Sequence, residues 1–163
     1  MTYQSQTRRC AYQDQDSPMT LREGLDEYYR MNPEVTPPEE ASEEGEQFFH
    51  SHDVTHVVFG TTTTFRDEGI NDLWSMYGLD ISMREYVGRG LEVPEVKALF
   101  KEFGTWAFIK ELAKFPGYWP KVRRQAKKMT KPWPWKGYAD YLDVPLAQVR
   151  REFGIEVLGP EGV

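Results

Sequence analysis

With 163 residues, 39% of them hydrophobic, the chain has the size of one domain and enough apolar material to bury a core without covalent staples. A formal net charge of -6 argues against a nucleic-acid-coating protein, and no run of roughly 18 apolar residues is present to form a membrane-spanning helix. Cys10 is the single cysteine, which excludes an internal disulfide and a thiolate cluster, so any metal must be held by nitrogen and oxygen.

The opening stretch from Met1 to Cys10 is polar, carries Arg8 and Arg9, and lacks the apolar core of a secretory signal. Asp14 and Asp16 argue against an organelle transit peptide. Residues 1–17 are therefore expected to form a flexible segment, 18–155 a helical domain and 156–163 a tail, in a cytoplasmic chain. Leu21, Leu25 and Tyr28 or Tyr29 recur at helical spacing and predict a helix from Pro18 to Met31, closed by Asn32-Pro33. Beyond a Pro-rich connector, Thr36 and Glu39 form a capping box, and helical sequence runs to about Phe59 with Gly45 as a weak point. Gly60 stops that helix, and the β-branched run Thr61 to Thr64 makes a turn whose hydroxyls cap the next one. Ile70, Leu73, Trp74 and Tyr77 mark this next helix, which ends near Gly78, and Ser82 with Glu85 opens another.

Pro94 starts a longer helix with Val96, Leu99, Phe100 and Phe103 on one face, bent at Gly104 and continued from Trp106 to Phe115. Pro116-Gly117 reads as a break, Lys121 to Met129 as a short basic helix and Pro132 to Gly137 as an extended segment. Asp143 is the expected cap of a last helix through Phe153, with Gly154 at its C-cap. No strand pair or repeat stands out. The expected fold class is mainly α: a single-domain bundle of about six or seven helices.

Charge is unevenly spread along this framework. Asp14 to Glu46 is acidic, with Glu39, Glu40, Glu43, Glu44 and Glu46 crowded together, and the plain reading is a solvated helix face. Lys110 to Lys136 is basic, with Lys121, Arg123, Arg124, Lys127, Lys128 and Lys131 set among Trp119, Trp133 and Trp135. That pairing of cations with tryptophans suggests an interface. A solvated helix comes first among its readings, an anionic membrane surface second and nucleic acid last, because no recognition motif accompanies it.

His52 and His56 are four residues apart, so on a helix they project from one face and can share an ion. The spacing alone also describes two ordinary histidines, but these are two of only three in the chain, and Asp53 and Glu68 supply carboxylates. Along one straight helix Glu68 would lie roughly 18 Å from His56, at about 1.5 Å per residue. The break at Gly60 to Thr64 supplies the reversal that brings it back. Asp53, about 100° around the helix from His52, either binds the metal or orients a histidine. Two histidines with one or two carboxylates suit catalytic zinc, non-haem iron or manganese.

His52-Asp53-Val54-Thr55-His56, followed after eleven residues by Glu68, resembles the His-Asp-x-x-His-x11-Glu motif of the Coq4 family of ubiquinone biosynthesis at all four positions. Val57 to Thr61 is similar to that family's apolar-Gly-Thr continuation, and Leu146 to Ile155 to its C-terminal helix. The resemblance implies a helical, membrane-peripheral protein at the inner face of a membrane, with a metal site of His52, Asp53, His56 and Glu68. It also implies a polyprenylated benzoquinone precursor as substrate and oxidative decarboxylation at ring C1 as the activity. The alternative is a non-catalytic lipid-binding scaffold that presents the precursor to other enzymes of the pathway. A homodimer is compatible with both. Adjacent His-Asp also marks metal phosphohydrolases, but no convincing upstream histidine and downstream aspartate complete such a set. A prenyl chain needs an apolar groove, for which Leu73, Trp74 and Tyr77, or Phe100, Phe103, Trp106 and Phe108, are the candidates, although core packing is the commoner role of such residues.

Overall fold

Helix starts in this chain are set by hydroxyl side chains that take up backbone N–H groups a helix leaves unbonded. The computed structural model describes residues 9–35, 41–94, 96–98 and 115–158. Within them Thr20 caps α1 (Leu21–Met31), Ser42 caps α2 (Glu43–Phe59), Thr64 caps α3 (Phe65–Gly78) and Ser82 caps α4 (Met83–Glu92). At α1 the Glu23 side chain reaches back to the Thr20 N–H, completing a capping box that the sequence reading passed over.

The structure is mainly helical, and among the described residues it contains no strand, only isolated bridges between Thr20 and Pro145 and between Leu79 and Trp133. No described helix is long and apolar enough to cross a membrane. The start of α2 differs from expectation. The Thr36–Glu39 capping box lies outside the described residues, and α2 begins only at Glu43, so Gly45 falls in its first turn rather than midway. Pro116 and Gly117 do not break the chain either: both lie in the first turn of α5 (Phe115–Ala126), where a missing N–H costs no intrahelical bond. The last helix, α6 (Leu146–Phe153), has no side-chain cap. Asp143, expected to provide one, pairs with Arg22 at 2.9 Å, while Gly154 ends α6 as anticipated with φ of 67°. Of the longer helix expected from Pro94 to Phe115, Pro94 and residues 96–98 are helical, while residues 99–114, with the Phe100, Phe103, Trp106 and Phe108 cluster, lie outside the described residues.

From Asp53 to Thr63 every residue is buried, so the second half of α2 has no solvent face. A helix enclosed on all sides is the centre of its bundle. α1, α3, α4 and α6 all pack against it, and α5 packs on α3. At Gly24 an added Cβ would stand 2.6 Å from Val57 Cγ1, so glycine is what lets α1 approach α2 this closely.

Residues 9–17, assigned by sequence to a flexible segment, are packed into the fold. Cys10, Tyr12 and Ser17 are buried, and the Tyr12 hydroxyl donates to the Thr61 carbonyl at 2.8 Å. Arg150 joins this segment to the central helix. Fully buried, it donates to the carbonyls of Val58 at 3.0 Å, Val57 at 2.8 Å and Tyr12 at 2.6 Å, and to that of Asp14. Burial lowers its pKa to about 10, and four carbonyls, two of them in the negative last turn of α2, keep the charge tolerable.

Trp133 and Trp135 are core residues, 1% and 3% exposed, which removes them from the expected cation–tryptophan surface. The Trp133 N–H donates to the Gly78 carbonyl at 2.7 Å, and the Trp135 N–H to Asp80 at 2.7 Å, so the extended segment is bonded to the end of α3. Leu73 and Trp74 are core as well, with Trp74 stacked on Phe59 at 4.7 Å.

Candidate metal centre

α2 presents His52 and His56 one turn apart, and Gly60 then reverses the chain. Gly60 is left-handed, with φ of 71°, a conformation that costs a side-chain-bearing residue and costs glycine little. The His56 carbonyl accepts both the Gly60 and the Thr61 N–H, which closes the helix at the ligand itself. Thr62 binds Asp67 through its N–H and its hydroxyl, at 2.9 and 2.7 Å, and Thr64 caps α3. Glu68 therefore enters in the first turn of α3, at the positive end of its dipole. The sequence-predicted reversal is present, and it brings three of the four proposed ligands together.

Their donor atoms form a nearly equilateral triangle. His52 Nε2 and His56 Nε2 are 3.2 Å apart, and they lie 3.4 and 3.3 Å from the same Glu68 Oε2. Nitrogen and oxygen ligands held ~2.0–2.1 Å from a tetrahedral zinc ion are separated by about 3.3–3.4 Å, the edge of that tetrahedron. The three residues thus fit a metal ion, with a fourth position left for water or substrate. His56 is fully buried while 37% of the Glu68 side chain is exposed, so the centre opens on the Glu68 side.

Two imidazole nitrogens and a carboxylate oxygen aimed at one point need a positive charge between them. Without a metal, a proton supplies it. Burial opposes a charge on His52, but the hydrogen bond to Glu68 and the charges of Glu68, Asp53 and Asp72 outweigh it and raise its pKa to about 9. Burial also works against the Glu68 charge, yet His56 and hydrogen bonds from both histidines hold that carboxyl well below its usual range. A metal ion binding here displaces the proton.

Asp53 is placed differently. It is buried and accepts the hydroxyls of Tyr29 at 2.9 Å and Tyr28 at 3.4 Å rather than joining the triangle. Burial raises its pKa, partly offset by His52 and His56. Tyr28 in turn stacks on the His56 ring, 5.4 Å between centroids and 22° between planes, so Asp53 steadies a residue that steadies a ligand. Phe48 stacks on His52 in the same way, at 5.9 Å and 9°.

The far nitrogens of both rings are held by residues the sequence reading did not select. His56 Nδ1 meets Thr61 Oγ1 at 2.9 Å, the start of a chain through Asn71 to Thr55. His52 Nδ1 meets the Tyr86 hydroxyl at 3.2 Å, which donates to Asp72 at 3.0 Å. Asp72 carried a legible signal, since it follows Glu68 by the same four residues that separate the histidines. Tyr86 carried none. Two surface hollows, of about 450 and 520 Å³, lie beside α1 and are lined by residues such as Glu27 and Arg30, away from the triangle. Compared with known proteins, the chain matches no family model, no curated protein and no solved structure.

Proposed function

We propose that His52, His56 and Glu68 hold a divalent cation, zinc ahead of iron or manganese, and that the chain is a Coq4-type enzyme of ubiquinone biosynthesis. Its substrate in this reading is a polyprenylated benzoquinone precursor, and its reaction an oxidative decarboxylation at ring C1 that releases carbon dioxide, for which dioxygen would be the external oxidant because zinc itself accepts no electrons. The observation that carries the metal reading is the 3.2–3.4 Å triangle of donors from two helices. The motif spacing from His52 to Glu68 carries the family reading.

The bound ion would polarise a ring phenolate or carboxylate as a Lewis acid. Around it the chain's own residues orient and enclose: the stacked Phe48 and Tyr28 fix the imidazole planes, and burial of His56 keeps water from the inner side. Asp53, kept off the triangle by Tyr28 and Tyr29, is a positioning group in this scheme. Exposed Arg123 and Arg124 on α5 and Lys127 in the turn that follows it, with the half-exposed Trp119, supply the contact with an anionic membrane surface where a prenylated substrate resides.

Elemental analysis of the purified chain, mass spectrometry of co-purified lipid and turnover of a prenylated, ring-carboxylated precursor test this reading together. Near-stoichiometric metal and turnover are expected, both lost in His52→Ala and Glu68→Ala. Metal-free variants that sustain full pathway flux would move the assignment to a lipid-presenting scaffold. A chain carrying neither metal nor prenyl lipid would remove both, and cleavage of simple phosphoesters would replace them with a phosphohydrolase.

A further inference from the structure

The two histidines differ in what stands behind them. His56 is backed by neutral groups only, Thr61, Asn71 and Thr55, all buried. His52 is backed by the Tyr86 hydroxyl and then by a carboxylate, Asp72, at the solvent edge. The direction of the second chain is set by its end. A carboxylate only accepts, so the single Tyr86 proton points to Asp72 and an oxygen lone pair faces His52 Nδ1. Nδ1 must then carry the hydrogen, which leaves Nε2, the atom in the triangle, free to bind an ion.

Tyr86 is also held firmly. It lies in the first turn of α4, 7% exposed, with its ring 5.9 Å from Phe48 and 5.3 Å from Trp135, and Phe48 is the ring that stacks on His52. Asp72 sits one turn beyond Glu68 on α3, so one helix face supplies both a ligand and the remote anchor of another ligand.

We infer that Tyr86, backed by Asp72, is the positioning residue of the metal centre: its hydroxyl accepts the Nδ1 proton of His52, fixes the tautomer and makes His52 the stronger donor of the two histidines. This rests on the reading of His52, His56 and Glu68 as a metal site. Hydrogen-bonded partners behind metal-bound histidines typically change affinity by roughly 10–100-fold.

Titration of the metal-free full chain with zinc and with cobalt tests it, using the visible spectrum of cobalt as a report on ligand geometry. Tyr86→Phe keeps the ring and its packing and removes the hydroxyl alone. It is expected to bind roughly 10–100-fold more weakly, with an altered cobalt spectrum and with metal-free thermal unfolding close to that of the parent. Asp72→Asn, which retains an acceptor but not the charge, is expected to lose less in the same direction. Parental affinity and spectrum in Tyr86→Phe would overturn the inference and leave the metal site standing. Failure of the parent chain itself to take up either metal would overturn both. If Tyr86→Phe does not fold, the exposed Asp72 decides: unchanged affinity in Asp72→Asn overturns the role, and weakened affinity supports it.

Discussion

The α2–α3 hairpin and the basic stretch ending at Lys136 carry the two strongest chemical signals in the sequence, and the fold treats them differently. In the hairpin, spacing is a geometric statement: residues four apart on a helix share a face, and a glycine-threonine break reverses the chain. His52, His56 and Glu68 accordingly converge. In the basic stretch, cations and tryptophans are close in sequence but point to different places. Trp133 and Trp135 enter the core, only Trp119 is substantially exposed at 48%, and Lys128 and Lys131 pair with Glu156 and Glu152 at 2.7 and 2.6 Å. Proximity along an irregular segment says little about which side a residue faces, whereas a helical interval fixes it.

Substitution of the tryptophans tests that contrast most sharply. Trp133→Ala, which empties a fully packed site beside Phe153 and Tyr141, is expected to cost about 3–5 kcal/mol in denaturant unfolding. Trp119→Ala is expected to cost less than about 1 kcal/mol. Equal losses would mean that the two are not divided between core and surface.

Arg150 links the hairpin to the rest of the molecule. Arg150→Met would leave the carbonyls of Val57, Val58, Tyr12 and Asp14 without their donor, an expected cost of about 3 kcal/mol or more. The neighbouring Arg151, which is exposed, should tolerate alanine within about 0.5 kcal/mol. Matching stabilities for the two variants would dismiss the buried guanidinium as a clamp.

The smallest effect expected is on pH dependence at the centre itself. Because His52 in the metal-free chain holds its proton up to about pH 9, the apparent metal affinity should rise about tenfold per pH unit from neutrality toward 9 and flatten above it. Chelator competition at several pH values measures this. In the metal-free chain the same proton stabilises the fold fully below the ordinary imidazole pKa of 6.5, and that contribution is lost as pH rises through about 9. Glu68, with its pKa lowered, contributes above its ordinary 4.5 and loses that contribution as the solution is acidified. A metal affinity independent of pH would show that no proton occupies the triangle.

Where sequence reading worked, local rules were sufficient. Thr64 and Ser82 cap their helices and Gly60 and Gly154 end theirs, because a cap depends on one hydroxyl or one positive φ and on nothing distant. It went astray where a distant partner took the residue: Asp143 left the last helix for Arg22, and Tyr12 is drawn from a polar segment into the core by Thr61, forty-nine positions away. Pro116-Gly117 misled for a different reason. A break signal within a helix is no break in its first turn, and where that turn begins was not evident from the residues around it.

For this protein the linear sequence by itself determined the helical class, the interval between the two histidines and the turn that returns Glu68 to them, since each follows from backbone geometry over a few residues. Tertiary structure alone decided which carboxylate completes the triangle and which one stands behind it. It withdrew Asp53 to Tyr28 and Tyr29, brought Tyr86 from another helix to His52, and set three donor atoms 3.2–3.4 Å apart. Such choices depend on contacts between elements far apart in the chain, and no local interval encodes them.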